Sequence, residues 1–448
     1  MGVEQGTRER ELAQRYGVKP PWSTVIQPEI RATFLRHPVH QWAQTEITNL
    51  LMMLRTLDDA GQYYNFQRWL WSDVVRIEHQ LDEASKHLAR VLRGKRVPEA
   101  PEGNWWSERM VLRDVARQLR SVGDGLAWQL FGFDRRYVIA LSRNQMTGPI
   151  HSKAGHRQEL QTLMDLWQKE RAFALINDLT NNVRTGDLTV FRPGVAPEIK
   201  EVKTGGKRIR KEQRDRINRA LATLHAGAPM PRGIALLASP IKLDTHMESL
   251  YESFTRSSKF KVDATAVEPG WALVTTVGGA STLDEAQGLL SDALTKATKL
   301  AQFGNEEQYL SFNSDDHLGM DPSIAPFSIY PLPPVICAAL LGTRISYRGA
   351  LSARALAVAF DQYGFKVSIP QPAKTSDREM GERTFIIQKG DRSWNLMKRG
   401  LGQVILELVT VNAYVRAVVN AIENHPSEPL VGLTFSDEHE TWGKRAWD

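Results

Sequence analysis

Two Glu-x-Lys triplets follow one another in "PEIKEVKT": Glu198-Ile199-Lys200 and Glu201-Val202-Lys203. Alternate side chains of a strand share a face, so Ile199, Glu201 and Lys203 lie together, with Glu198, Lys200 and Val202 on the opposite side. A strand covered on both faces of an α/β sheet is apolar throughout. One that is charged at four of six positions belongs at an edge or at a site. A carboxylate with an ammonium two residues on has a chemical use. The carboxylate binds a hard divalent cation, and the ammonium steadies charge that develops on an attacking water or a phosphate. Asp187 supplies a second carboxylate if "DLTVF" returns antiparallel across the Arg192–Gly194 turn. The plain alternative is an exposed edge strand whose alternating charges pair across the sheet and discourage aggregation.

The flanking helices add to the pattern. In "KRIRKEQRDRINRALATLHAG" the apolar stripe is Ile209, Ile217, Ala220, Leu221 and Leu224, and Gln213 falls on it. A glutamine that faces a sheet needs partners, and a charged cluster provides them. Residues 200–219 hold nine Lys or Arg against three acids, with Lys207, Arg208, Arg210, Lys211 and Arg214 as the basic flank that a phosphodiester attracts. In the preceding helix, "RQELQTLMDLWQKERAFALIND", Glu170 shares a face with Leu163, Leu166, Trp167, Phe173 and Ala174. It is either a third acid for the metal or the partner of an arginine.

These residues need elements to position them. Residues 1–150 read as a helical domain, with apolar spacing in "HQWAQTEITNLLMMLRTLDDAG" and "RWLWSDVVRIEHQLDEASKHLARVLRG". Eight of the twelve tryptophans lie before residue 170; burial between helices accounts for them better than stacking on bases. Residues 155–280 read as an α/β core with strands in "GDLTVF", "PEIKEVK", "GIALLAS" and "WALVTTV". Residues 281–448 read as a further α/β region. The 448 residues and 42 % hydrophobic content imply two or three globular domains. A net charge of +6 is compatible with a polyanionic partner. A single cysteine, Cys337, excludes an internal disulfide. The charged N-terminus and the lack of long apolar runs lead to an expectation of a cytoplasmic protein without membrane segments. "TGGKRIRK" lacks phosphate-loop spacing. His151 with His156, and Asp315 with Asp316, read as solvated groups rather than ligands.

A helix with a glutamate, then Gly-Asp-Leu, then Glu-Val-Lys-Thr and a second helix with a glutamine resembles the PD-(D/E)xK nuclease superfamily over residues 155–240. The resemblance implies a restriction-endonuclease-like core ordered helix, three strands, helix, strand. It implies that Asp187, Glu201 and the carbonyl of Val202 bind Mg2+ or Mn2+, that Lys203 orients or activates water, that Gln213 supports the site and that Glu170 is the optional helix acid. With the helix expected to run to about Asn177, "LTNNVRT" is the room left for a first strand. Glu201-Val202-Lys203 is preferred to Glu198-Ile199-Lys200 because Thr-Gly-Gly follows it as a strand end. The implied activity is phosphodiester hydrolysis in nucleic acid, DNA ahead of RNA, in a role such as defence against foreign DNA. The flanking regions would choose the substrate, a protein partner or a second copy. The competing expectation is a non-catalytic nucleic-acid-binding or assembly module that retains the fold.

Overall fold

The computed structural model describes residues 34–102, 104–142, 150, 153, 155–203, 211–226, 235–278, 283–305, 307–317, 321–368, 384–424 and 430–435. Lys207, Arg208, Arg210 and His151 lie outside them. The described part is mixed α/β, as the sequence implies. None of its helices is long and apolar enough to cross a membrane.

Three long helices open the described part of the chain: α1 (Pro38–Leu54), α2 (Ala60–Val91) and α3 (Trp105–Leu130). Asp59 caps α2 by accepting from the Gly61 and Gln62 N–H groups, and Asn104 caps α3 through Trp106 and Ser107, which satisfies donors that a helix start leaves open. Trp128 is fully buried, while Trp71 stacks on His156 and Trp167 on Tyr64. These rings join helices. Trp69 is 55 % exposed. Gly123 in the middle of α3 admits close contact: a Cβ there would lie 1.9 Å from the Leu179 carbonyl oxygen. A helical glycine costs about 1 kcal/mol, and here that cost goes with the seating of the loop that follows the first strand. The neighbouring Asp124 accepts from the Asn181 and Asn182 N–H groups of the same loop.

After the short α4 (Arg135–Leu141) comes α5 (His156–Asp165), extended by a π turn over Leu166–Glu170. The helix stops there, short of the expected Asn177. Arg171 takes a left-handed conformation (φ 53°), and Phe173–Ile176 forms strand β1, buried at every position. Five consecutive apolar residues from Ala172 to Ile176 suit a strand covered on both sides better than a helix with a polar face. "LTNNVRT" is therefore the loop after the first strand. Gln67 of α2 clasps β1: its Nε2 donates to the Ala174 carbonyl (2.8 Å) and its Oε1 accepts from the Ile176 N–H (2.9 Å). Strands β2 (Leu188–Arg192) and β3 (Val195–Lys200) complete an antiparallel sheet in the order β1-β2-β3. Then follow α6 (Lys211–Ala226) and β4 (Ala235–Ala238). Among the described residues, β4 pairs in parallel with the last strand, β12 (Leu430–Thr434), and not with β3.

The second half holds α7 (Met247–Phe260), β5 (Val262–Glu268), β6 (Trp271–Val277), α8 (Leu283–Leu300), β7 (Tyr309–Asn313), α9 (Pro334–Leu341) and β8 (Ile345–Ser352). Strands β5 to β8 form one antiparallel sheet, in the order β5-β6-β8-β7. That sheet draws strands from both sides of residue 280, so the boundary expected there does not separate two structural units. Strands β9 (Lys366–Ser368), β10 (Thr384–Lys389) and β11 (Arg392–Met397) form a small sheet in the order β11-β10-β9, followed by the helix Val411–Asn424. One apolar core runs from Phe34 through Leu126, Leu175 and Trp271 to Phe435. A fully buried ion pair lies within it: Arg135 bonds both oxygens of Glu407 at 2.9 and 3.0 Å.

Gln67→Leu would leave the Ile176 N–H and the Ala174 carbonyl without their partner. The expected loss of stability is about 2–3 kcal/mol, read as a fall in the urea midpoint. A midpoint unchanged from the parent would show that the clasp carries no weight.

Candidate functional site

The site forms where β2 begins and β3 ends. Gly186 has a φ of +80°, and a Cβ on it would lie 2.3 Å from Ile199 Cγ2, so glycine is required for both conformation and space. Asp187 donates its N–H to the Lys200 carbonyl at 2.9 Å. This places it one step beyond the Leu188–Lys200 register pair, opposite Glu201. Its carboxylate accepts the Val202 N–H at 2.7 Å, so β3 ends at Lys200 and the Glu201-Val202-Lys203 triplet lies just past it. The Asp187 and Glu201 carboxyls are near enough for the charge of Glu201 to act on Asp187. Lys203 Nζ stands 3.0 Å from Glu201 Oε2, and Gln213 Nε2 of α6 stands 3.5 Å from the same oxygen. Asp187, Glu201, Lys203 and Gln213 are thus brought together.

Glu170 and the other triplet are not part of this group. Glu170 bonds Arg192 at 2.6 Å and Glu198 bonds Arg192 at 2.9 Å, both acids being about half exposed. Of the two expectations for Glu170, partner of an arginine is the one the structure shows. The π turn is the physical reason: its wider winding rotates Glu170 away from the stripe that an uninterrupted α-helix would place it on. The acid that α5 does turn inward is Glu159, only 4 % exposed. It lies four residues before Leu163, on the same stripe, and that spacing was the available signal. Lys153 is a second addition, ion-paired to Asp178. Sequence reasoning had no way to find it, because Asp178 comes from the loop after β1.

The electrostatics follow from crowding acids in a half-buried place. Burial, with repulsion from Glu201, pushes the Asp187 carboxyl up to about 6, against the Val202 N–H and Lys153, which favour its charged form. Burial and the charges of Asp187, Asp178 and Glu201 push Glu159 up to about 7, with Lys153 opposing. Burial alone would lower Lys153, but Asp178, Glu159 and Asp187 hold it above its ordinary value.

Among the described residues, no three Asp, Glu, His or Cys side chains converge closely enough to enclose a metal ion. The donors present are two adjacent carboxylates, the Val202 carbonyl, and the Oε1 of Gln213, which is buried without a hydrogen-bond partner. Such an all-oxygen set, open to water on one side, suits Mg2+ or Mn2+, which keep several waters. A cleft of about 450 Å³ opens beside it, reached by Glu201, Lys203 and Arg214, with Gln158 and Thr162 of α5 on the far wall. Lys211 and Arg214 are exposed on α6.

A carboxyl whose value is raised in the folded state binds more protons there than in the unfolded chain. Asp187 and Glu159 therefore favour the fold at low pH, and that contribution is lost as pH rises through about 6 and about 7. In chelator, Asp187→Asn is expected to raise the stability at pH 8 by about 1 kcal/mol, discounted for partial exposure, and to raise it less at pH 5. Thermal melts at the two pH values check this; a variant equally destabilised at both would show that the carboxyl is not under repulsion.

Searches against family models, curated proteins and solved structures return no match for this chain.

Proposed function

We propose that the chain is a metal-dependent nuclease of the PD-(D/E)xK kind, hydrolysing phosphodiester bonds of nucleic acid, DNA ahead of RNA. The observation that carries this reading is the convergence of Asp187, Glu201, Lys203 and Gln213 at the mouth of one hairpin. The order of elements supports it: α5, three antiparallel strands, α6, then β4. The pairing of β4 with β12 is a departure from a continuous four-stranded sheet.

Asp187, Glu201 and the Val202 carbonyl would hold a divalent cation, which when bound polarises the phosphoryl oxygen and supplies a nucleophilic water at neutral pH. Lys203, anchored on Glu201, brings a fixed positive charge to the pair, where it offsets negative charge building on the attacked phosphate. Gln213 orients Glu201 through its Nε2 and leaves its Oε1 to accept from a water. Glu159, its value near neutral, is suited to taking up or returning a proton. The exposed Arg214 and Lys211 contribute attraction to the phosphate backbone.

Incubation with plasmid, linear and single-stranded substrates in Mg2+, Mn2+ and chelator tests the reading. Lys203→Ala and Glu201→Gln are each expected to lower cleavage by about 10²–10⁴-fold with the fold retained. Glu159→Gln should lower it at least about tenfold, whereas Glu170→Ala leaves it unchanged. Cleavage that survives both Lys203→Ala and Glu201→Gln would falsify the site. The pairing of β4 with β12 in place of a continuous sheet favours the second reading, a non-catalytic nucleic-acid-binding module. Its signature is binding with no cleavage in any metal.

A further inference from the structure

We infer that the cleft beside Glu201 receives one unpaired nucleotide, so that the nucleic acid this chain engages is single-stranded or locally opened. The inference rests on the nucleic-acid reading above and narrows it to a substrate class.

Size is the first argument. The cleft measures about 450 Å³, the scale of a pocket that encloses a small molecule (~300–1,000 Å³). Duplex recognition instead spreads over ~1,000–2,500 Å² of protein surface. The walls are the second argument, because they differ in chemistry. Lys200 and Lys203 line the cleft beside Glu198 and Glu201, with which they pair, and Arg214 of α6 lines it with no acid partner among the described residues. This is the side for a backbone phosphate. The α5 wall is neutral. Thr162 donates its hydroxyl to the Gln158 carbonyl at 2.8 Å, which leaves the oxygen lone pairs of Thr162 facing outward as acceptors. The Gln158 amide is exposed and makes no hydrogen bond among the described residues, so it offers both a donor and an acceptor to a base edge. Ile217 of α6, with Ile199 and Val202, adds apolar surface to the cleft. A paired, stacked base hides its faces and its pairing edge; a splayed base presents both. An arginine without an acid partner, a neutral amide and hydroxyl, and apolar side chains around one cleft match a splayed nucleotide.

The full chain carrying Asp187→Asn, in chelator and at ~0.1 M salt, is titrated against a fluorescein-labelled single-stranded DNA dodecamer and against its blunt duplex, with anisotropy as the readout. The single strand should bind at least about tenfold tighter. Gln158→Ala and Thr162→Val should weaken the single strand about three- to tenfold and leave the duplex unchanged, whereas Arg214→Ala weakens both. Melting curves confirm that each variant is folded, and the surface position of Gln158 makes it the safest of the three. Equal or tighter duplex binding, no binding to either form, or single-strand affinity indifferent to Gln158→Ala and Thr162→Val overturns the inference. The two readings separate cleanly. Single-strand binding through these residues with no cleavage by the unaltered chain removes the nuclease reading alone. Cleavage of intact duplex without preference for single strands removes this inference alone.

Discussion

The hydrogen bond from the Val202 N–H to the Asp187 carboxylate, at 2.7 Å, sits where β3 lets go of the sheet, and the rest of the site is arranged around it. It turns the chain so that Glu201 points back toward Asp187, which sets two carboxylates side by side. Such a pair repels itself, and half-burial strengthens the repulsion. It persists because the backbone around it is over-determined. Gly186 has no alternative residue, the Asp187 N–H is tied to Lys200, and the Asp187 carbonyl accepts from the Asn177 N–H at 3.0 Å. Lys203 and Lys153 offset part of the charge. A site assembled against its own electrostatics is one that a bound cation would relieve.

The N-terminal helices build this place as well as covering it. Glu78 of α2 accepts the Ile150 N–H at 2.6 Å and pairs with Arg120 of α3. Arg120 in turn donates to the Asp178 carbonyl at 3.0 Å, and the Asp178 side chain holds Lys153 and Arg184. Glu78 and Arg120 are both nearly excluded from solvent, where removal of one partner leaves a buried charge unsatisfied. The same helices supply Gln67 to β1 and Asp124 to the loop after it. Lys153, Asp178 and Asp187 are thus located by contacts made far away in the chain.

The C-terminal half is joined to this assembly by its core. β12 lies beside β4, and Glu407 closes on Arg135 with no solvent contact and also accepts the Ala325 N–H. The boundary expected near residue 280 falls inside a sheet whose strands come from both sides of it. Composition reports local preference, while strand order is set by which apolar faces can be buried together.

Much of the hairpin was legible because its information is local. The Asp187 strand, the Arg192–Gly194 turn, the edge position implied by alternating charge and the glutamine on an apolar helix stripe all follow from side-chain periodicity. The end of α5 was only weakly legible. Both a continued helix and a break into strand keep Leu163, Leu166 and Phe173 inside; the apolar run Ala172–Ile176 leans toward a strand, and the clasp from Gln67 and the pairing of β1 with β2 fix it. That single difference moved Glu170 to the surface and left Glu159 as the inward acid. It also separated the two Glu-x-Lys triplets, since Arg192 draws Glu170 and Glu198 together on the exposed side. The sequence by itself determined which residue types could do chemistry and that an antiparallel return across Arg192–Gly194 would bring Asp187 near residues 199–201. The tertiary structure alone decided which acids share a buried space, because burial and repulsion depend on neighbours that the chain brings together from α2, α3, α5 and α6.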